Sequence, residues 1–178
     1  MIRLRPAVLA LCLAVSASAF GAEPLDEARA AHSRGDHLRA IALLVPLANA
    51  GNPEAQTRLG LMYFRGQGVR EDDDAAFAWM RKAAVQGHAQ AQYHLASFYA
   101  FGYGPPVDDE ERDRMAARWY FESAQQGNAD AQYVLGLLFL SGKGVVRSED
   151  EARKWFARAA NGGHADAQRF LSEFTPGR

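Results

Sequence analysis

Residues 91–105 read AQYHLASFYAFGYGP, and the same plan stands at residues 55–69, AQTRLGLMYFRGQGV, and at residues 131–145, AQYVLGLLFLSGKGV. The Ala-Gln pair recurs at Ala55-Gln56, Ala91-Gln92, Ala131-Gln132 and Ala167-Gln168, at intervals of 36, 40 and 36 residues. A glycine (Gly51, Gly87, Gly127, Gly163) stands four residues before each of these alanines. Self-similarity at such a period marks a repeat architecture in which each unit is one supersecondary element.

The physics of one unit follows from its spacing. Leu59 and Tyr63 lie at i and i+4 and so share a helical face, and Leu95 with Tyr99 and Leu135 with Phe139 repeat the pair. This predicts a first helix of about three turns. A Gly-x-Gly then breaks it, at Gly66 and Gly68, Gly102 and Gly104, and Gly142 and Gly144. An acidic stretch follows, such as Glu71 to Asp74, where negative charge suits the unpaired N–H groups of a helix start. The second helix carries Ala76, Trp79 and Ala83 on one face, matched by Ala116, Trp119 and Ser123 and by Ala152, Trp155 and Ala159. Small residues let helices approach while the tryptophan fills the space beside them. One such pair cannot bury its own face, but stacked pairs share a continuous core.

The pattern A-Q-x-x-L-G-x-x-Y-x-x-G-x-G-V, acidic residues, then W-x-x-K/R-A-A-x-x-G, resembles the Sel-1-like repeat family, relatives of the tetratricopeptide repeats. The resemblance implies an all-α, right-handed superhelical solenoid of antiparallel helix pairs acting as an adaptor or scaffold. Three full repeats are expected at residues 55–90, 91–130 and 131–166, flanked by caps. Residues 24–54 resemble a degenerate unit with Pro46 inside its second helix, where proline removes a backbone donor and bends the axis. Residues 167–175 read as a lone first helix that covers the last unit with Ala167, Phe170, Leu171 and Phe174. The middle unit has four extra residues within Pro105–Arg114, read either as a longer loop before an ordinary acidic helix start or as a projecting contact loop.

The N-terminus reads as a secretory signal. Arg3 and Arg5 precede an apolar run, Ala7 to Val15, and Ala17-Ser18-Ala19 fits a cleavage site before Phe20. The expectation is a signal peptide at residues 1–19 and an exported single domain at residues 20–178, periplasmic in a Gram-negative bacterium. Cleavage removes Cys12, the only cysteine, and two positive charges, so the net charge goes from −1 to −3 and no disulfide is possible. Such a balance gives no electrostatic case for nucleic-acid binding. No window beyond the N-terminus has the roughly 20 apolar residues of a membrane span.

Catalytic chemistry is not legible. No G-x-S-x-G elbow and no zinc-spaced Cys/His cluster occur, so no catalytic residue, metal or cofactor is assigned. The family's cysteine-rich members, associated with β-lactam binding or hydrolysis, give nothing to carry over to an expected mature chain without cysteine. GQGVRE and GKGVVR do not complete a phosphate-binding loop, and Asp72 to Asp74 lack calcium-loop spacing. His88 and His164 share one repeat position after the terminal glycine, which points to a role in the turn.

In tetratricopeptide relatives the first helices line the concave, binding surface. A stripe at i, i+3 and i+7 of these helices varies between units: Arg58, Leu61 and Arg65; His94, Ser97 and Phe101; Val134, Leu137 and Ser141. Variation inside a constant frame is what partner-specific contacts look like, although drift on a solvated face or packing on the next unit produces it too. The expected function is a protein-binding scaffold or regulator of envelope assembly. The alternatives are a periplasmic immunity protein, a glycan or peptidoglycan binder using Tyr93, Tyr99, Phe101 and Tyr103 as a stacking platform, and a cell-wall-active enzyme.

Overall fold

The computed structural model describes residues 19–173. Among the described residues there are nine α-helices and no strand: α1 (Ala19–Ser33), α2 (His37–Asn49), α3 (Pro53–Phe64), α4 (Asp73–Val85), α5 (Ala89–Phe101), α6 (Asp109–Gln125), α7 (Ala129–Ser141), α8 (Glu149–Asn161) and α9 (Ala165–Glu173). Each helix packs on its neighbours in the chain, and α3 also touches α5. The result is the expected solenoid: pairs α1/α2, α3/α4, α5/α6 and α7/α8, closed by α9. Most of the expected signal, with Arg3, Arg5 and Cys12, lies outside the described residues, as does Phe174. No described helix is long and apolar enough to cross a membrane.

The helix starts follow from short polar side chains placed just before them. Asp36, Asp72, Asp108 and Ser148 cap α2, α4, α6 and α8 by accepting from the backbone N–H three residues on. The odd helices use Asn52, His88 and Asn128 at one repeat position, and His164 Nδ1 accepts from Ala167 N at 3.3 Å in the same way. The turn role expected for His88 and His164 is therefore a helix cap. The four-residue insert of the middle unit does not lengthen a loop. Each cap of α4, α6 and α8 follows the second glycine of its Gly-x-Gly by the same interval, and α6 has 17 residues where α4 and α8 have 13. Four residues are about one turn, so the extension leaves the buried face in register. Both loop readings of Pro105–Arg114 are corrected by this.

Within a pair, the helices close on a small residue set against a large one. Gly136 faces the fully buried Phe156, and a Cβ there would stand 2.7 Å from its ring. At Gly60 such a Cβ would stand 3.1 Å from the Met80 methyl carbon and 3.2 Å from the Ala76 carbonyl oxygen. Between pairs, the turn of one unit rests on the preceding even helix. Gly144, at φ +70°, lies so close to Asp113 that an added Cβ would sit 2.1 Å from its carbonyl oxygen.

The Ala-Gln glutamines join successive pairs. Gln56, Gln92 and Gln132 are buried, and their Nε2 groups donate to Ala48 O, Ala84 O and Ala124 O at 3.0, 3.2 and 3.0 Å. These carbonyls lie in the last turn of the previous even helix and also accept from the backbone N–H groups of Gly51, Gly87 and Gly127. Gln86 then donates to Gln56 Oε1 at 2.7 Å and Gln126 to Gln92 Oε1 at 2.6 Å. The third unit has Gly162 in place of that donor, and the buried Gln132 Oε1 has no partner among the described residues.

Two expectations follow for stability. Gln92→Met destabilises by about 1 kcal/mol more than Gln132→Met in urea titrations, because only the latter removes an unsatisfied buried acceptor. Gly136→Ala costs about 1–3 kcal/mol by overpacking Phe156.

Candidate partner-binding groove

The variable stripe sits on the face built by the odd helices, and its members differ in how free they are. Arg58 is half-buried and its Nε donates to Glu54 Oε1 at 2.9 Å. Glu54 also accepts from Arg29 Nε at 2.8 Å, and Arg29 in turn holds Asp26 at 2.7 Å. Burial alone would raise the Glu54 carboxyl, but its bonds to Arg29 and Arg58 outweigh this and hold it below the usual carboxylate range. Arg65, at the C-cap of α3, is exposed, and its side chain makes no ion pair or hydrogen bond among the described residues.

Two hollows lie along this row. One, a small hollow of about 40 Å³ between α1 and α3, is lined by His32, Arg58, Leu61 and Arg65. The other, about 300 Å³ between α3 and α5, is lined by Arg58, Leu61, His88 and His94. The structure thus brings Arg58, Leu61, Arg65 and His94 together.

His94 is kept neutral. Burial pushes it down to about 4, the charges of Arg65 and His88 act in the same direction, and Asp130 opposes them. Gln90 Nε2 approaches its Nε2 at 3.0 Å, a bond in which the ring nitrogen accepts. His88 is also lowered, first by burial, with Glu54 opposing and Arg58 adding to the fall.

Other members of the stripe are engaged in packing. Ser97 Oγ lies 3.0 Å from Tyr120 Oη and donates to Tyr93 O at 3.1 Å, so it ties α5 to α6. Val134 packs on the core. Phe101 is 75% exposed and Leu137 39% exposed, while Ser141 is exposed with its hydroxyl donating to Leu137 O at 3.1 Å. Arg65, Phe101 and Ser141 share one repeat position at the ends of α3, α5 and α7. The four rings proposed as a glycan platform do not form one: Tyr99 is buried at 6% exposure, and Tyr93 packs edge-on to Tyr120 at 5.7 Å. No cluster of three or more potential metal ligands occurs among the described residues.

Glu54, Gln90, Asp130 and Asp166 form a polar row along the same face that the stripe left out. Its signal was available, since each stands immediately before an Ala-Gln pair.

A stack of capped helix pairs with a constant core and a variable outer stripe defines a helical-repeat binding protein. The Sel1 repeat profile matches residues 53–88, 89–128 and 129–164, and the chain belongs to the Sel1 repeat family. Among solved structures it is similar to a Sel1 repeat protein of Oxalobacter formigenes, at TM-score 0.75 and 31% identity over 82% of this chain and 57% of that one. It is also similar to c5321, a protective antigen of uropathogenic Escherichia coli strains with an SLR fold, at TM-score 0.77 and 30% identity over 85% of this chain and 32% of that one. Cysteine rich protein B of Helicobacter pylori shares the fold, at TM-score 0.57 and 24% identity over 76% of this chain and 94% of that one. A curated relative is the ERAD-associated E3 ubiquitin-protein ligase component HRD3A of Arabidopsis thaliana, 34% identical over 73 residues, which are 40% of this chain and 11% of the relative. The chain thus spans about a tenth of that relative, just over half of the Oxalobacter formigenes protein and about a third of c5321.

The His94 environment sets a pH dependence. The native state keeps His94 neutral down to about 4, whereas the unfolded chain protonates near 6.5. In that window the unfolded state binds the extra proton, so stability falls as pH drops. The contribution is at most about 1.4 kcal/mol per pH unit. Urea midpoints for His94→Gln should lose less than those of the parent on going from neutral pH to about 4.5.

Proposed function

We propose that this chain is an exported scaffold of the cell envelope that holds a protein partner in the groove of its odd helices. Sel1 repeat proteins are generally protein–protein interaction modules. The observation that carries the reading is the contrast at one repeat position. Phe101 is left 75% exposed, and Arg65 is left exposed without an ion pair among the described residues. The frame positions beside them, Leu59 and Leu95, are buried. An exposed aromatic ring and an unpaired arginine on one face are the residue types that anchor interfaces. The signal-like N-terminus supports export, and the absence of cysteine from residues 20–178 is compatible with an oxidising compartment. The part taken by HRD3A as a component of a larger ligase agrees with a scaffold role.

Arg65→Glu/Phe101→Ala is the discriminating variant. Arg58 is left intact because it neutralises the half-buried Glu54. Tagged parent and variant chains are used as bait in envelope extract. The parent should retain one partner that the variant binds about 10- to 100-fold more weakly, a loss of about 1.4–2.7 kcal/mol. Equal retention by both baits would place the interface elsewhere. A captured toxin would favour the immunity role over envelope scaffolding.

A further inference from the structure

The even helices carry a tryptophan at one repeat position, Trp79 in α4, Trp119 in α6 and Trp155 in α8. One repeat position of the preceding even helix differs between the three joints. At the last joint this is Phe121 of α6, whose ring stands edge-on to Trp155 at 5.8 Å, and that tryptophan is 5% exposed. At the first joint the equivalent residue is Val45 of α2, which packs with Trp79 on one core cluster. At the middle joint it is Arg81 of α4. The apolar residue is replaced by a cation, and Arg81 lines a cleft of about 440 Å³ between α4 and α6. Leu95 and Tyr99 of α5 line it together with Phe77, Val85, Met115 and Trp119. A second hollow of about 380 Å³ shares Val85, Arg118 and Trp119 and reaches Glu122.

Charge and hydrogen bonding say what this cleft accepts. Arg81 on the α4 side and Arg118 on the α6 side are both exposed, and neither has an ion pair among the described residues. The Arg118 guanidinium lies 6.0 Å from the Trp119 ring, too far for a strong cation–π contact. Trp119 Nε1 is buried with no acceptor among the described residues, so a donor is left unspent at the cleft wall. Val85, 63% exposed on the lip, leaves the cleft open to solvent. An acyl chain gains most from enclosure, whereas an open apolar slot with a cation on each wall suits a peptide that offers one apolar side chain between carboxylates.

We propose that the cleft between α4 and α6 is a second docking site, walled by the even helices and distinct in its lining residues from the groove, for an acidic peptide segment of a protein partner. Its aromatic side chain seats against Trp119 as Phe121 seats against Trp155, and its carboxylates meet Arg81 and Arg118.

The test uses the full chain labelled with ¹⁵N and titrated with the pentapeptide Gly-Asp-Phe-Asp-Gly, acetylated and amidated, while the Trp119 indole N–H resonance is followed. A saturable shift of that resonance is expected. The counterpart with lysine in both flanking places should bind at least about tenfold more weakly. Arg81→Phe recreates the apolar cover at the middle joint, so it should raise the Tm and abolish the shift; because it stabilises, loss of binding is not loss of fold. The proposal fails if the Trp119 resonance does not move, if the lysine peptide binds equally well, or if Arg81→Phe still binds. Saturation by dodecanoate without a response to the acidic peptide would overturn it in favour of a lipid site. Perturbations confined to Arg65 and Phe101 would overturn it while leaving the groove reading standing.

Discussion

Each even helix is tied to the odd helix that follows it through a carbonyl of its last turn, and this joint sets the geometry of the whole stack. Ala48, Ala84 and Ala124 each accept from the buried glutamine that opens the next odd helix. Because Gln86 and Gln126 then donate to Gln56 and Gln92, one side chain ties three successive helices in the first two repeats. A buried amide that loses these partners is costly, so the joint tolerates little rotation. The odd helices are therefore held side by side at a fixed offset, and their outer positions form a row without having to contribute to stability.

Close packing within each pair completes that division of labour. Glycine faces Met80 in the first repeat and Phe156 in the third, whereas the second has Ala96 and Tyr120 at the equivalent places. Tyr120 carries a hydroxyl that must be satisfied when buried, and Ser97 meets it. A stripe position is thereby drawn into structural use in the middle repeat, while Arg65 and Phe101 remain available. The groove is thus uneven: cationic and hollowed beside α3, aromatic at the end of α5, and apolar along α7 where Leu137 is exposed.

The same logic separates the two faces. On the odd-helix face, His94 is held uncharged between Arg65 and Asp130, so the positive field near α3 comes from arginine alone at neutral pH. On the even-helix side, Arg81 stands where the other joints carry Val45 and Phe121, and it lines the cleft between α4 and α6. Repeat proteins acquire local features in this way because each unit contacts only its neighbours, and a change at one joint leaves the others intact.

Periodicity alone was enough to recover the helix pairs, their glycine ends, their acidic starts, the place of His88 and His164 in the turn and the solenoid, since each depends on contacts within a turn or between units related by the repeat. The Ala-Gln pair was visible as a signal, but its cause was not, because Gln92 bonds to residues that become neighbours only when pairs stack. The four extra residues of the middle unit looked like loop and proved to be a helical turn: the acidic run DDEER starts a helix as well as it fills a loop, and only the position of the Asp108 cap decides between them. Tertiary structure likewise sorted the stripe, placing Arg58 on Glu54 and Ser97 on Tyr120 while leaving Phe101 and Arg65 free. The sequence by itself determined what repeats, because local propensity and burial recur with the period. Which of the varying side chains are spent on packing and which are left for a partner was decided by the fold, since that depends on atoms brought together from different units.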